Sequence, residues 1–346
     1  MFDINLARFV RATKWFGLAL MGLAFFVACA PQPEIKGFAG KTMGTSYSVK
    51  FVSADPAHDP EQIKQHVDGL LAQINAQMST YDPNSELSRF NESDQTTPYV
   101  VSRNLEVVVN RALEIARETD GVLDVTVGPL VNLWGFGPQA RPTTVPSADA
   151  LAAIREYVGY ELLQVSNHQL TKAHPDVYVD LSTIAKGYGV DRVARVLEQL
   201  DIHHYLVEIG GELRLKGSKP NDEPWRVAIE KPISGERSVQ EILEPGNMAL
   251  ATSGDYRNFY VEDGVRYSHI IDPRTGMPIQ HHLVSVTVLA PTCMDADAYA
   301  TALTVMGPDA ALAFAEQKQL PVLLVVREGE QFVERASSWM EPYRVQ

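Results

Sequence analysis

Apolar positions change period along this chain, and the changes predict its elements. Tyr47, Val49 and Phe51 alternate with polar neighbours, the period of a half-buried strand. From Asp59 the period lengthens to that of a helix. Ile63, Val67, Leu70, Leu71, Ile74 and Met78 fall on one face, and Asp59-Pro60-Glu61-Gln62 supplies a cap, a proline at the first position and a Gln three residues after the cap. A second helix is expected over 102–119, with Leu105, Val108, Val109, Ala112 and Ala116 inward, and a third begins near Ser147. Short apolar runs at 177–181, 205–209 and 213–215, then at 283–290 and 321–326, read as strands. Asp263-Gly264 between two strand-like runs predicts a tight hairpin. Further helices are expected at about 190–200 and 295–306. Strands and helices mix without regular βαβ alternation, so the expected fold class is α+β.

The first residues read as a targeting segment rather than as fold. Arg8, Arg11 and Lys14 make a basic start, Trp15 to Ala28 is an uncharged apolar run, and Cys29 follows directly. The run is short for a membrane span, which needs about 20 residues. Phe26-Val27-Ala28-Cys29 resembles the lipobox of bacterial lipoproteins, with Phe26 standing where leucine is usual. This reading takes 1–28 as a signal peptide, Cys29 as the lipidated first residue, and 29–40 as that cysteine and its tether. An uncleaved anchor helix is the alternative.

Composition narrows the function. The 346 residues are 45% hydrophobic and 21% charged, as in a folded globular protein, with a net charge of −13. So acidic a chain lacks the basic surface that nucleic-acid phosphates require. Its two cysteines are Cys29 and Cys293; with lipid on Cys29 the chain folds without an internal disulfide.

Several motifs carry chemistry, each with a plain structural alternative. DLSTIAKGYGVD (180–191) joins an acid, hydroxyls, a lysine and glycines, which suits an anionic ligand, or merely caps a helix. EIGGE (208–212) lets backbone approach a ligand, or makes a turn. ATSGDYRNFY (251–260) offers a polar loop, and SHIIDPRTGMP (268–278) places His269 near Asp272, Arg274 and Thr275, where an imidazole would take a proton from a hydroxyl. Asp272 to Gly276 is equally a good turn sequence. In DADAYATALTVMG (295–307), Asp297 and Thr301 lie four apart on one helical face, a lean oxygen site that suits magnesium and not zinc. Trp134 and Phe136 would stack on a flat ring or fill core, and core is the default for an isolated Trp.

The order of these blocks says more than any one of them. MGT, LDVTVGPLVNLWGFG, DLSTIAKGYGVD, EIGGE, TSGDYRN, HIIDPRTG and DADAYATAL, spread over about 43–307, resemble the ApbE family of flavin transferases. The resemblance implies a single large domain over 41–340, with a mainly antiparallel sheet flanked by helices. It also implies transfer of FMN from FAD to a Thr or Ser hydroxyl of an acceptor protein, with magnesium present and AMP released. Met43, Tyr81, Leu123, Asp124, Val125, Asp180, Lys186 and Ile271 match positions that hold FAD. Thr183, Asp297, Ala300 and Thr301 match the magnesium site, and His269 matches the catalytic base. The acceptors it implies are exported flavoprotein subunits, among them those of respiratory membrane complexes. The expected location is therefore the periplasmic side of a bacterial membrane, through the lipid on Cys29. The inner membrane is favoured by the acceptors, and Ala30 after the cysteine leaves the outer one open. A magnesium-dependent FAD pyrophosphatase, a flavin-carrying lipoprotein without chemistry and a purely structural lipoprotein are the other readings.

Overall fold

Leu283–Ala290 is buried at every position, Ser285 and Thr287 included. A strand buried on both sides must lie inside a sheet that is covered on both faces. The computed structural model, which describes residues 32–137, 145–231, 238–254, 259–262 and 264–345, shows that sheet. Its eight strands are β1 (Glu34–Thr42), β2 (Thr45–Ser53), β3 (Tyr205–Ile209), β4 (Glu212–Lys216), β5 (Ala249–Gly254), β6 (Leu283–Ala290), β7 (Val322–Glu328) and β8 (Gln331–Ala336). They stand side by side in that order. Every neighbouring pair is antiparallel.

Side-chain alternation divides the core into two layers. Tyr205, Val207, Ile209, Ala249, Ala251, Val286, Val288 and Leu324 point to one face. Helices α1 (Pro60–Met78), α2 (Arg103–Glu118), α3 (Ala185–Gln199), α4 (Cys293–Met306) and α5 (Pro308–Lys318) contribute buried residues to that face. The alternate residues Leu215, Leu250, Leu289 and Leu323 point the other way, onto Trp225, Val227, Leu243 and Met340.

Three helices begin where their caps predict. Asp59 caps α1 with Pro60 at its first turn, and Ile63, Val67, Leu71, Ile74 and Met78 are buried. Ser102 caps α2, whose five expected inward residues are all buried. Ser147 caps the short helix Ala148–Arg155. Strands Phe259–Glu262 and Val265–Ser268 pair as the expected hairpin, although Asp263 of its turn lies outside the described residues. The mixed, mainly antiparallel architecture is the one expected.

Three expectations differ from the structure. Residues 177–181 are not a strand, because their backbone bonds go elsewhere. Val179 exchanges two hydrogen bonds of 2.8 Å with the Asn91 side chain, and the Asp180 N–H donates to Val125 O at 2.7 Å. The segment 34–40, read as tether, belongs to β1; edge strands are short of apolar residues and leave little pattern. Helix α3 starts at Ala185 rather than near Val190, because Gly187 and Gly189 mask its period. The signal segment and Cys29 lie outside the described residues. Among the described residues, no helix is long and apolar enough to cross a membrane.

Candidate functional site

Helices α3 and α4 cap each other. The Asp297 carboxylate of α4 accepts from the Gly187 N–H in the first turn of α3 at 3.0 Å. In return, the Asp191 carboxylate of α3 accepts from Cys293 and Met294 N–H, the first residues of α4, at 3.0 Å each. These bonds satisfy donors that a helix start leaves orphaned, and they place negative charge where the helix dipole favours it. So close an approach needs a glycine: a Cβ on Gly187 would lie 2.3 Å from the Cys293 carbonyl oxygen. Asp180 prepares the entry to α3, its Oδ1 accepting from Ser182 N–H at 2.8 Å.

A third element completes the crossing. Gly210 and Gly211, at φ +63° and +108°, turn β3 tightly into β4. The glycine pair thus serves as a turn, and it delivers the buried Glu212 to Lys186, whose Nζ lies 2.5 Å from Glu212 Oε1 and 3.8 Å from Asp297 Oδ1. Burial alone would lower the Lys186 ammonium, yet the charges of Asp297 and Glu212 outweigh it and hold the group above its ordinary value. Glu212 is pushed up to about 7 by burial and by the Asp297 charge, against the pull of Lys186. Burial also raises Asp297, opposed by the Lys186 charge and the Gly187 N–H.

Two buried carboxylates therefore face one ammonium, and the negative excess is costly without a further cation. Two buried oxygens beside them, Thr183 Oγ1 and Glu212 Oε2, have no hydrogen-bond partner. Such orphans ask for an explanation. Among the described residues no group of three or more His, Cys, Asp or Glu could hold a metal. Magnesium needs less: it binds through one or two carboxylates, water and substrate phosphates. A surplus buried charge, an orphaned hydroxyl and an all-oxygen donor set fit that ion.

The crossing opens into two adjoining cavities of about 700 and 420 Å3, which share Tyr81, Asp180, Ser182 and Lys186. Met43 lines the larger one, at a two-residue turn where it and Gly44 have φ +48° and +72°. Tyr81 is 74% exposed at the rim, free to cover a flat ring. The smaller cavity takes in Leu123, Asp124, Thr183, His269, Ile271, Asp297 and Thr301. A candidate base and a candidate metal pair thus share one chamber with a lysine.

Not every residue singled out in the sequence faces that chamber. Val125 is buried behind it and holds Asp180 through its carbonyl. Ala300 is buried, and its carbonyl accepts from Thr304 Oγ1 at 2.7 Å. Asp124 lines the chamber, but its oxygens accept from Thr126 N–H and Oγ1 and from Tyr160 N–H, so its carboxylate braces the loop. Trp134 is fully buried and donates to Gly276 O at 2.8 Å, the core role expected of it. Thr252, Ser253 and Gly254, expected in a polar loop, belong to β5 and pair with β6, and Asp255 lies outside the described residues. Sequence reasoning missed Glu212 and Asp191, whose signal was an acid at the end of a motif already noticed.

Residues 43–324 match the model of the ApbE family. The chain is 51% identical to the FAD:protein FMN transferase of Vibrio cholerae, covering 94% of this chain and 98% of that one. It is 43% identical to the FAD:protein FMN transferase of Escherichia coli K12, over 94% and 95%. The solved flavin transferase ApbE from Vibrio cholerae superposes with a TM-score of 0.83 at 52% identity, covering 90% of this chain and 99% of that structure. The apo flavinyl transferase ApbE of Pseudomonas stutzeri gives 0.83 at 39% identity, over 90% and 97%.

Proposed function

The chain belongs to the ApbE family, and from that premise we propose that it is an FAD:protein FMN transferase, acting with magnesium on a Thr or Ser of an exported acceptor. The observation that carries the metal-dependent form is the orphaned Thr183 hydroxyl beside the surplus charge of Asp297 and Glu212, in the chamber that His269 shares.

FAD would lie across the two cavities, with Met43, Tyr81, Asp180, Lys186 and Ile271 around it. Thr183, Asp297 and Thr301 would hold magnesium, which would supply charge neutralisation to the pyrophosphate. Lys186 adds a fixed positive charge at the same place and costs no reorganisation, because Glu212 already orients it. His269 takes the proton from the acceptor Oγ onto its imidazole nitrogen. That oxygen attacks the phosphorus on the riboflavin side. The bond from this phosphorus to the bridging oxygen breaks, and AMP leaves with that oxygen. FMN remains on the acceptor through a phosphoester. Residues 1–28 would direct export, Cys29 would carry lipid, and the body over 41–340 would work at the periplasmic face of the membrane.

The test incubates the full chain with FAD, magnesium and an acceptor of the Vibrio cholerae relative, and measures the intact acceptor mass. Gain of one FMN, abolished by EDTA, is the expected result. AMP and free FMN without that gain would replace the transferase with a pyrophosphatase. Bound FAD with no turnover would replace it with a flavin carrier.

A further inference from the structure

The hairpin Phe259–Glu262/Val265–Ser268 ends directly before His269 and is held to the body by interleaved rings. Tyr260 and Tyr267 are paired across its strands, with centroids 5.1 Å apart and planes at 30°. Trp134 stacks on Tyr267 at 5.4 Å and 27°. Phe136 stacks on Tyr260 at 5.2 Å and 26°. Two rings of the 134–136 turn thus engage two rings of the hairpin in a chain of three stacked pairs. The last ring then meets the candidate base: Phe136 and His269 stand edge to face, 6.3 Å between centroids and 66° between planes.

The clamp has a rigid root. Trp134 is fully buried, and its indole N–H is tied to the Gly276 carbonyl, in the turn that follows His269 in sequence. The segment carrying His269 is therefore held on both sides by the same tryptophan, through Tyr267 before it and Gly276 after it. Tyr267 does not line the chamber, whereas Phe136 and His269 do. The hairpin's own framework is slight: four residue pairs in two strands, a unit that is marginal alone in water.

We infer that Tyr267 and Tyr260 are positioning residues for the transfer reaction: their stack between Trp134 and Phe136 sets the ring orientation of His269 against the acceptor hydroxyl. This rests on the proposed reading of His269 as the base. Offset stacking fixes tilt as well as distance, because the ring quadrupoles disfavour other overlaps. A misplacement of about 1 Å can cost about 100-fold in rate.

The experiment uses the full chain, FAD, magnesium and an acceptor of the Vibrio cholerae relative, with that enzyme as positive control. Transfer kinetics, FAD affinity and the imidazole proton resonances of His269 are measured in the wild type and in Tyr267→Leu, Tyr267→Ala and Tyr267→Phe. In the Leu and Ala variants we expect kcat to fall by about 10-fold or more, with FAD affinity within about 2-fold of the wild type and shifted His269 resonances. Tyr267→Phe, which keeps the ring, restores both. An unchanged kcat in Tyr267→Leu overturns the inference. So does a loss shared equally by FAD affinity, or a failure of Tyr267→Phe to restore the rate. Absence of transfer by the wild type, with the control active, fails the function reading itself. The resonances then still report whether the stack orients His269.

Discussion

Asp295 and Asp297 stand two residues apart on α4 and serve opposite environments. Asp295 accepts from Arg111 Nε at 2.6 Å. Arg111 also reaches Glu114 and Glu118, and Glu118 further accepts from Tyr299 and from Lys318 at 3.1 Å. Every carboxylate in that group has a partner, and all are partly open to water. Asp297 is buried with Glu212 against one lysine, with two unpartnered oxygens nearby. Satisfied charges at a surface tie elements together. Unsatisfied charges in the interior are costly unless something else completes them, which is the part the proposed magnesium would play. Counting acids on the helix would not separate the two; counting the unmet oxygens around each does, since Thr183 Oγ1 and Glu212 Oε2 lie on the side of Asp297.

Removing each acid in turn separates the two environments. Asp297→Asn should lower transfer by about 100-fold or more, the scale of losing a group that stabilises transition-state charge. Its thermal stability should be equal or higher, since Lys186 and Glu212 are then a balanced pair. A destabilised but active Asp297→Asn would show that Asp297 is structural. Titrating magnesium into the chain during thermal unfolding should raise Tm in the wild type and leave Asp297→Asn unmoved, because only a bound native state is stabilised. An equal rise in both would move the metal elsewhere.

Smaller effects should come from the scaffold. Gly187→Ala forces the two helix starts apart and should cost about 1–3 kcal/mol in denaturant unfolding. Asp295→Ala leaves Arg111 with two glutamates and should cost about 1 kcal/mol, with no change in transfer rate. The smallest effect is one of pH. Burial opposes ionisation of Glu118, but the Tyr299 and Lys318 bonds and the Arg111 charge prevail and hold its carboxyl below the ordinary value. A depressed folded pKa stabilises the fold above the unfolded value of about 4.3, and that contribution is lost as pH falls through the folded pKa. Unfolding of Glu118→Gln followed between neutral and acid pH should therefore show a shallower loss than the wild type.

Much of this was readable from the chain because it is local. The caps Asp59, Ser102 and Ser147 mark helix starts through bonds to residues two or three away. The run 283–290 reads as a strand because all its side chains are buried and many are β-branched. The resemblance carried by the motifs already brought Thr183, Lys186, His269 and Asp297 together. Their ordinary periodicity could not, since these residues come from distant parts of the chain. Residues 177–181 misled for a related reason: their apolar pattern is that of a strand, but Asn91 and Val125 take the bonds a neighbouring strand would have taken.

Sequence alone determined the period of most elements, the helix starts marked by Asp59, Ser102 and Ser147, the acidic balance and the family. Tertiary structure decided which acid is buried beside unmet oxygens and which is paired at the surface. Asp295 and Asp297 are the same residue type two positions apart, and sequence separates them only through the spacing to Thr301 and the family motif. Their charges acquire meaning only when Arg111 arrives from α2 at one, and Gly187, Lys186 and Glu212 arrive from α3 and β4 at the other. Electrostatic energy depends on distance and burial in space, and neither is a property of position along the chain.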